Sequence, residues 1–304
     1  MSDARRYVST LEVAQALGVS VTTVKRWVDE GRLPAQRTPG GHRKILLAEV
    51  LQMVGRENWP HVDLGLLTGG AAPVNPADAA GLAERLHRAI LAGQAEEARA
   101  LLVSAYEGGL SAAVLADDVV VPAMTRVGHG WASGDLDVYQ EHRGTQACLS
   151  ALMALKARLP AVTAEDRPLA LGGGPEGDHY LLANLLAEVV LLEMGWRVVN
   201  LGPNTPMASF QLAVRQLKPR LVWVSCSHLA DVDAFVAGYA GLYAEVERWG
   251  AAIAVGGRAL TAEVRHRMEF TCHGDRLANL AAFARQLWPA RAPAEPPAGE
   301  KTGG

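Results

Sequence analysis

The chain has 304 residues, 49% hydrophobic and 20% charged, with a formal net charge of −3, a composition that excludes a disordered chain and a length that asks for more than one core. No uninterrupted apolar run approaches the ~18 residues of a membrane span, and the opening MSDARRYVST lacks the apolar stretch of a secretory signal, so a cytoplasmic protein without membrane contact is expected. Three cysteines, Cys148, Cys226 and Cys272, have no paired spacing and suit reduced thiols in that compartment.

Charge is unevenly spread. Residues 1–56 hold nine Lys or Arg against five Asp or Glu, a surplus of four that leaves −7 on the remainder. A basic head on an acidic body is the pattern of a nucleic-acid-binding module joined to something else.

Within that head, STLEVAQALGVSVTTVKRWVDEGRLP reads as two short helices. Ser9 or Thr10 caps the first, which turns Val13, Ala14 and Leu17 to one side. Gly18 breaks it, Ser20 caps the second, and Val21, Val24, Trp27 and Val28 recur at helical spacing. Two such helices around a Gly-containing turn make a helix-turn-helix. Thr22, Thr23, Lys25 and Arg26 lie opposite the apolar stripe, where a major groove would pass. RLPAQRTPGGHRKI then reads as an extended segment, a Pro-Gly-Gly turn and a second extended segment. Bare backbone at Gly41, flanked by Arg37, His42, Arg43 and Lys44, suits phosphate contacts that position a protein on DNA without reading bases. On residues alone, a protein-interaction module with a solvated basic face is the competing reading. Residues 7–55 resemble the winged-helix DNA-binding domain of the MerR family, with RTPGGHRK the most specific motif, and the resemblance implies double-stranded promoter DNA as partner. No long helix follows, so the antiparallel coiled coil of that family is not expected. A linker rich in Gly, Pro and Ala is expected over 57–77 instead.

Residues 78–162 read as helix after helix, a four-helix bundle. Its corner, GHGWASGDLDVYQEH, places Trp131 in a Gly-rich connection and Glu141-His142 early in the next helix. Periodicity favours Trp131 as a core residue and Glu141 as an acid welcomed by the helix dipole.

Beyond Arg167 the period changes. PLALGGG, RVVNLGP, RLVWVSCS and AAIAVGG are short apolar runs, separated by helical stretches at Leu181–Met194, Pro206–Leu217 and Val232–Arg248. Strands alternating with helices predict a doubly wound parallel sheet over 166–290, which binds ligands at the carboxyl ends of its strands. Those ends are Gly172–His179, Gly202–Thr205, Ser225–His228 and Gly256–Gly257. Neither a GxGxxG nor a GxxxxGK[ST] pattern is present, which argues against dinucleotide and triphosphate cofactors. Residues 291–304, rich in Pro, Gly and Ala, are expected to be disordered.

The whole, a multidomain α and α/β chain with a winged helix-turn-helix head, a four-helix bundle and a Rossmann-like domain, resembles the cobalamin-binding light-responsive repressors of the CarH/LitR type. Bundle and sheet together also resemble the cobalamin module of methionine synthase and corrinoid proteins. The resemblance implies a transcriptional regulator and homo-oligomer, not an enzyme, controlled by adenosylcobalamin or methylcobalamin. By it, Trp131 caps the upper face of the corrin, with Glu141 and His142 near the upper ligand. Ser225 and Ser227 match the Ser-x-Ser/Thr of a switch loop, and Gly256 and Gly257 match glycines lining the channel for the nucleotide tail. The family motif Asp/Glu-x-His-x-x-Gly falls on Asp178, with Tyr180 at the His position and Ala183 at the Gly position. His179, one residue early, is turned by about 100° if the segment is helical. Ala132 stands where light-responsive members carry a second His. Three outcomes stay open: His179 as the metal ligand through a register shift, cobalamin held without a protein ligand, or a pocket for another tetrapyrrole or for none, as in an antirepressor. His228 and Cys226 on the neighbouring loop are candidates for a different cofactor. A corrinoid methyl carrier is the reading from another class, and RTPGGHRK argues against it.

Overall fold

The computed structural model describes residues 7–37, 43–57, 76–159 and 166–288. The expected linker falls largely outside these residues, as does the tail.

The head comprises β1 (Tyr7–Ser9), α1 (Thr10–Ala16), α2 (Val21–Asp29), β2 (Ala35–Arg37), β3 (Arg43–Leu46) and α3 (Leu47–Glu57). Ser9 and Glu12 start α1 as a reciprocal cap: Ser9 N–H donates to Glu12 Oε2 at 2.6 Å and Glu12 N–H donates to Ser9 Oγ at 3.2 Å. Gly18, at φ +64°, supplies the left-handed turn between the helices. Ser20 Oγ accepts from Thr23 N–H and starts α2. The strands form an antiparallel sheet in the order β1-β3-β2, and Val13, Val24, Trp27, Leu33 and Ile45 close one core beneath it.

The bundle follows as α4 (Pro76–Ala92), α5 (Ala95–Glu107), α6 (Ala112–Val114), a π-helical turn at Leu115–Val120, α7 (Val121–Ser133) and α8 (Val138–Lys156). The corner differs from the expectation. Trp131 is not in a connection but in α7, which runs on through Gly128 and Gly130 and ends only at Gly134, φ +84°. A Cβ at Gly130 would lie 2.8 Å from Leu136 Cδ1, so the glycine gives Leu136 room to pack and does not break the helix. Asp137 then caps α8, and Glu141 does fall in its first turn.

The last domain contains β4 (Leu169–Gly173), α9 (Leu182–Glu193), β5 (Arg197–Asn200), α10 (Met207–Leu217), β6 (Leu221–Ser225), α11 (Val232–Arg248), β7 (Ala252–Gly256), α12 (Ala262–Arg265), β8 (Cys272–Gly274) and α13 (Leu277–Leu287). All five strands are parallel, in the order β5-β4-β6-β7-β8. The chain leaves β4 for β5 on one side and returns to β6 on the other, so the β4/β6 boundary is the switch point where the carboxyl ends open a crevice. The strand β8 is three half-buried residues, too short to show a pattern in the sequence. One face of the sheet packs Val222, Val224, Ile253 and Val255 against α10 and α11. The other packs Ala170, Leu221, Trp223, Ala252 and Ala254 against α9 and α13.

Polar ties lock bundle to sheet. Asp117, projecting from the π-helical turn, accepts from Leu277 N–H at 2.8 Å and Ala278 N–H at 2.9 Å, the unpaired donors at the start of α13. Reciprocally, Glu193 at the end of α9 accepts from Ala112 N–H at 2.9 Å, and Lys156 on α8 meets Glu188 on α9 at 2.6 Å. Leu185, Leu186, Val189 and Val190 of α9 belong to the bundle's core. These contacts hold the strand ends facing the bundle corner.

Candidate cofactor site and nucleic-acid interface

Between bundle corner and strand ends lies a cavity of about 1240 Å³. From the bundle, α7 contributes Met124, His129 and Trp131, and α8 contributes Val138, Glu141, His142 and Leu149. From the sheet side come His179, Tyr180, Leu181, Leu186, Ser227 and Arg258. Trp131 is 52% exposed, so it is no core residue; it stands at the cavity wall with an uncovered indole. Val138, Tyr139, Tyr180 and Leu181 around it are exposed as well. Large apolar side chains left uncovered in one place mark a surface that a ligand or partner covers.

The charged members are already partnered. Glu141 accepts from Thr145 Oγ1 at 2.8 Å and lies 3.5 Å from His142 Nε2, a pair that is ionic when the imidazole is protonated. Arg258 Nε donates to Ser227 O at 3.1 Å, and its guanidinium sits 4.9 Å from the centre of the Tyr180 ring, at cation–π distance. Arg258 was not singled out from sequence; its one signal is that it directly follows Gly256-Gly257.

The motif segment departs from its sequence reading in two ways. Residues 178–181 are not helical, since α9 begins at Leu182, so the rotation argued for His179 does not apply. His179 and Tyr180 are both exposed and line the same cavity. Asp178 does not reach it. Only 1% exposed, Asp178 accepts at Oδ1 from Tyr180 N–H (3.0 Å) and at Oδ2 from Ser227 N–H (2.6 Å) and His228 N–H (3.2 Å). Its carboxylate is spent on tying the β4 loop to the β6 loop. Ser225 ends β6 beside Gly256 and lines neither this cavity nor its neighbour of about 700 Å³, which shares the Ser227 and Arg258 wall. Gly256 and Gly257 line neither cavity: a Cβ at Gly256 would meet Gly274 O at 2.6 Å, and one at Gly257 would meet Cys226 O at 2.3 Å. At both positions the chain's own backbone comes close to where a Cβ would stand. Burial, with the Asp178 charge beside it, holds the Cys226 thiol well above its usual range, and Cys226 lines neither cavity.

A flat macrocycle fits the cavity. The walls are mostly apolar, Trp131 is among them, and His129, His142 and His179 line the cavity from three different segments. Among the described residues no group of three or more His, Cys, Asp or Glu gathers into a metal site of its own.

In the head, Thr22, Lys25 and Arg26 are exposed along α2, while Thr23 is half-buried with its hydroxyl 2.8 Å from Ser20 Oγ, inside the cap. Arg43 Nη2 donates to both carboxylate oxygens of Asp29 at the end of α2, at 2.8 and 2.9 Å, and so ties the hairpin to the helix. Arg37 pairs with Arg43 in the β2–β3 ladder and Lys44 is exposed; Gly41, His42 and the Arg37 side chain lie outside the described residues.

Residues 7–57 match the family model of a helix-turn-helix domain, and residues 82–156 match that of a B12 binding domain. The chain is 29% identical over 236 residues to the HTH-type transcriptional repressor CarH of Myxococcus xanthus, covering 70% of this chain and 76% of that one. It is 26% identical over 221 residues to the HTH-type transcriptional repressor CarA of the same organism, covering 70% and 74%. The chain is homologous to these repressors. Among solved structures, the Methanosarcina barkeri monomethylamine corrinoid protein superposes with a TM-score of 0.56 at 17% identity, over 68% of this chain and 98% of that one. That likeness is one of fold. No helix among the described residues is long and apolar enough to cross a membrane.

Proposed function

We propose that the chain is a DNA-binding transcriptional repressor whose bundle-and-sheet module senses a corrinoid, and that it is not an enzyme. The observation that carries this reading is the shared cavity, where uncovered Trp131 from the bundle faces His179 and Tyr180 from the strand ends. Trp131 would cover one face of a bound ring, Tyr180 with Arg258 would lie toward the other, and the Glu141–His142 pair would be available to its polar groups. A bound corrinoid supplies a flat apolar ring with an exchangeable upper group. The protein's part is to bind that ring differently in two assembly states, since a ligand shifts an equilibrium only by its difference in affinity for the two. A single head makes few DNA contacts, so bringing several heads onto one operator in a homo-oligomer raises affinity through effective concentration. The head also sets this chain apart from a methyl carrier, which has no use for one.

The test is a mobility-shift titration on the chain's own promoter region with and without adenosylcobalamin, in the dark and after illumination, with gel filtration of the same samples. Corrin absorbance eluting with the protein and a change of at least about tenfold in DNA affinity, ~1.4 kcal/mol, support the reading. A colourless protein with the same operator affinity in every arm refutes it.

A further inference from the structure

We propose that this module takes its corrinoid by the ring alone, leaving the nucleotide tail outside the sheet, and that Trp223 is the side chain that closes the sheet layer to the tail. The proposal rests on the corrinoid reading above. Cobalamin carries, below its flat ring, a tail of phosphate, ribose and a bicyclic aromatic base. If that tail is to be buried when the ring sits in the cavity, the base must enter between the carboxyl half of the strands and the helices covering them.

On the α9/α13 side that layer carries Ala170, Gly172, Ala252 and Ala254 beside Leu221 on the strands, and Ala187 and Ala284 beside Leu191 and Phe283 on the helices. Trp223 packs among these small residues. Its side chain is 3% exposed and its ring lies so close on Gly172 that a Cβ there would sit 2.0 Å from Trp223 Cδ2. The indole Nε1–H has no acceptor among the described residues, so the ring is held by packing. Backbone also comes close at the neighbouring strand ends. A Cβ at Gly173 would lie 2.5 Å from Gly202 O, and Gly256 and Gly257 are closed against Gly274 and Cys226. Neither cavity at this end of the molecule is lined by any residue of the five strands. An indole therefore occupies the room that a buried base would need.

Full-length protein titrated with adenosylcobalamin and with adenosylcobinamide, which differ only by the tail, gives the decision. Dissociation constants within about threefold of each other are expected. Adenosylcobalamin tighter by thirtyfold or more means that the tail is buried and overturns the proposal. Failure of both ligands to bind sinks the corrinoid reading itself, a result distinct from tight binding of adenosylcobalamin alone. In Trp223→Ala, the ratio should move at least tenfold toward adenosylcobalamin; parity kept in a variant with an unchanged circular dichroism spectrum removes Trp223 from the role. Should that variant fail to fold, the wild-type comparison still decides whether the tail is buried.

Discussion

Asp178 and Ser227 are joined by a 2.6 Å hydrogen bond from the Ser227 backbone N–H to Asp178 Oδ2, across 49 residues of sequence. The same carboxylate also takes the N–H of Tyr180 and of His228, so one buried side chain sets the distance between the two loops that form the floor of the cavity. Removing it leaves three backbone donors without their acceptor. Asp178→Ala should lose about 3 kcal/mol of stability, since a buried donor left unsatisfied costs ~1–3 kcal/mol and more where the partner is charged. Urea unfolding measures this; a loss under 1 kcal/mol would mean that water replaces the carboxylate.

Trp131 should behave in the opposite way. An exposed side chain contributes little to folding, and truncating it is expected to shift stability by no more than about 0.5 kcal/mol. Corrinoid affinity should fall by ~2 kcal/mol or more, the scale of an aromatic anchor at the centre of a binding surface. Chemical denaturation and a spectroscopic titration on the same Trp131→Ala sample separate the two effects. Equal losses in both would return Trp131 to a structural role.

Lys25 and Arg43 should respond differently to substitution. Lys25→Ala removes an exposed cation from α2 and should lower operator affinity with a salt slope shallower by ~1, as expected for one lost phosphate contact. Arg43 is engaged with Asp29, so Arg43→Ala and Asp29→Ala are both expected to loosen the hairpin and to weaken DNA binding alike. Tighter DNA binding in Asp29→Ala would show instead that the aspartate withholds Arg43 from a phosphate.

The pH dependence of folding should carry the mark of Asp117 and Glu193. Burial is the leading cause that holds both carboxyls above their ordinary range, against hydrogen bonds and arginines that pull them down. A raised folded pKa means that the folded state binds the proton better. The associated stability is full below the unfolded value and fades as pH rises through the raised one. The melting temperature of the wild type, relative to Asp117→Asn, should therefore increase as pH falls toward the ordinary carboxyl value of 3.8. Calorimetry showing a constant or falling difference contradicts this account.

The local order of the chain was legible before any coordinates. Ser9, Gly18 and Ser20 mark the ends of α1 and α2 because capping joins groups only a few residues apart, and the spacing of Val24, Trp27 and Val28 follows from the helix period itself. The change of period after Arg167 announced a parallel sheet with its functional edge at the strand ends, because strand and helix repeats are properties of short windows. Cysteine spacing, charge asymmetry and the missing phosphate-loop patterns narrowed the chemistry in the same way.

What tertiary structure alone decided are contacts between segments far apart in sequence. Trp131 reads as core by periodicity and proves uncovered, since nothing in α7 itself says which side of the helix meets the opening. Asp178 matches a cofactor motif yet turns inward to Ser227, and Arg43 pairs with Asp29, 14 residues away. Asp117 reaches Leu277 across 160 residues. The glycines at the strand ends were expected to make a channel, but a missing Cβ is equally useful for letting two backbones or an indole come close. Only the packing of β4 against β6 shows that Gly172 makes room for Trp223. Sequence period specifies which face of an element is apolar; which neighbour covers that face, and whether any does, is settled by how the layers close on one another.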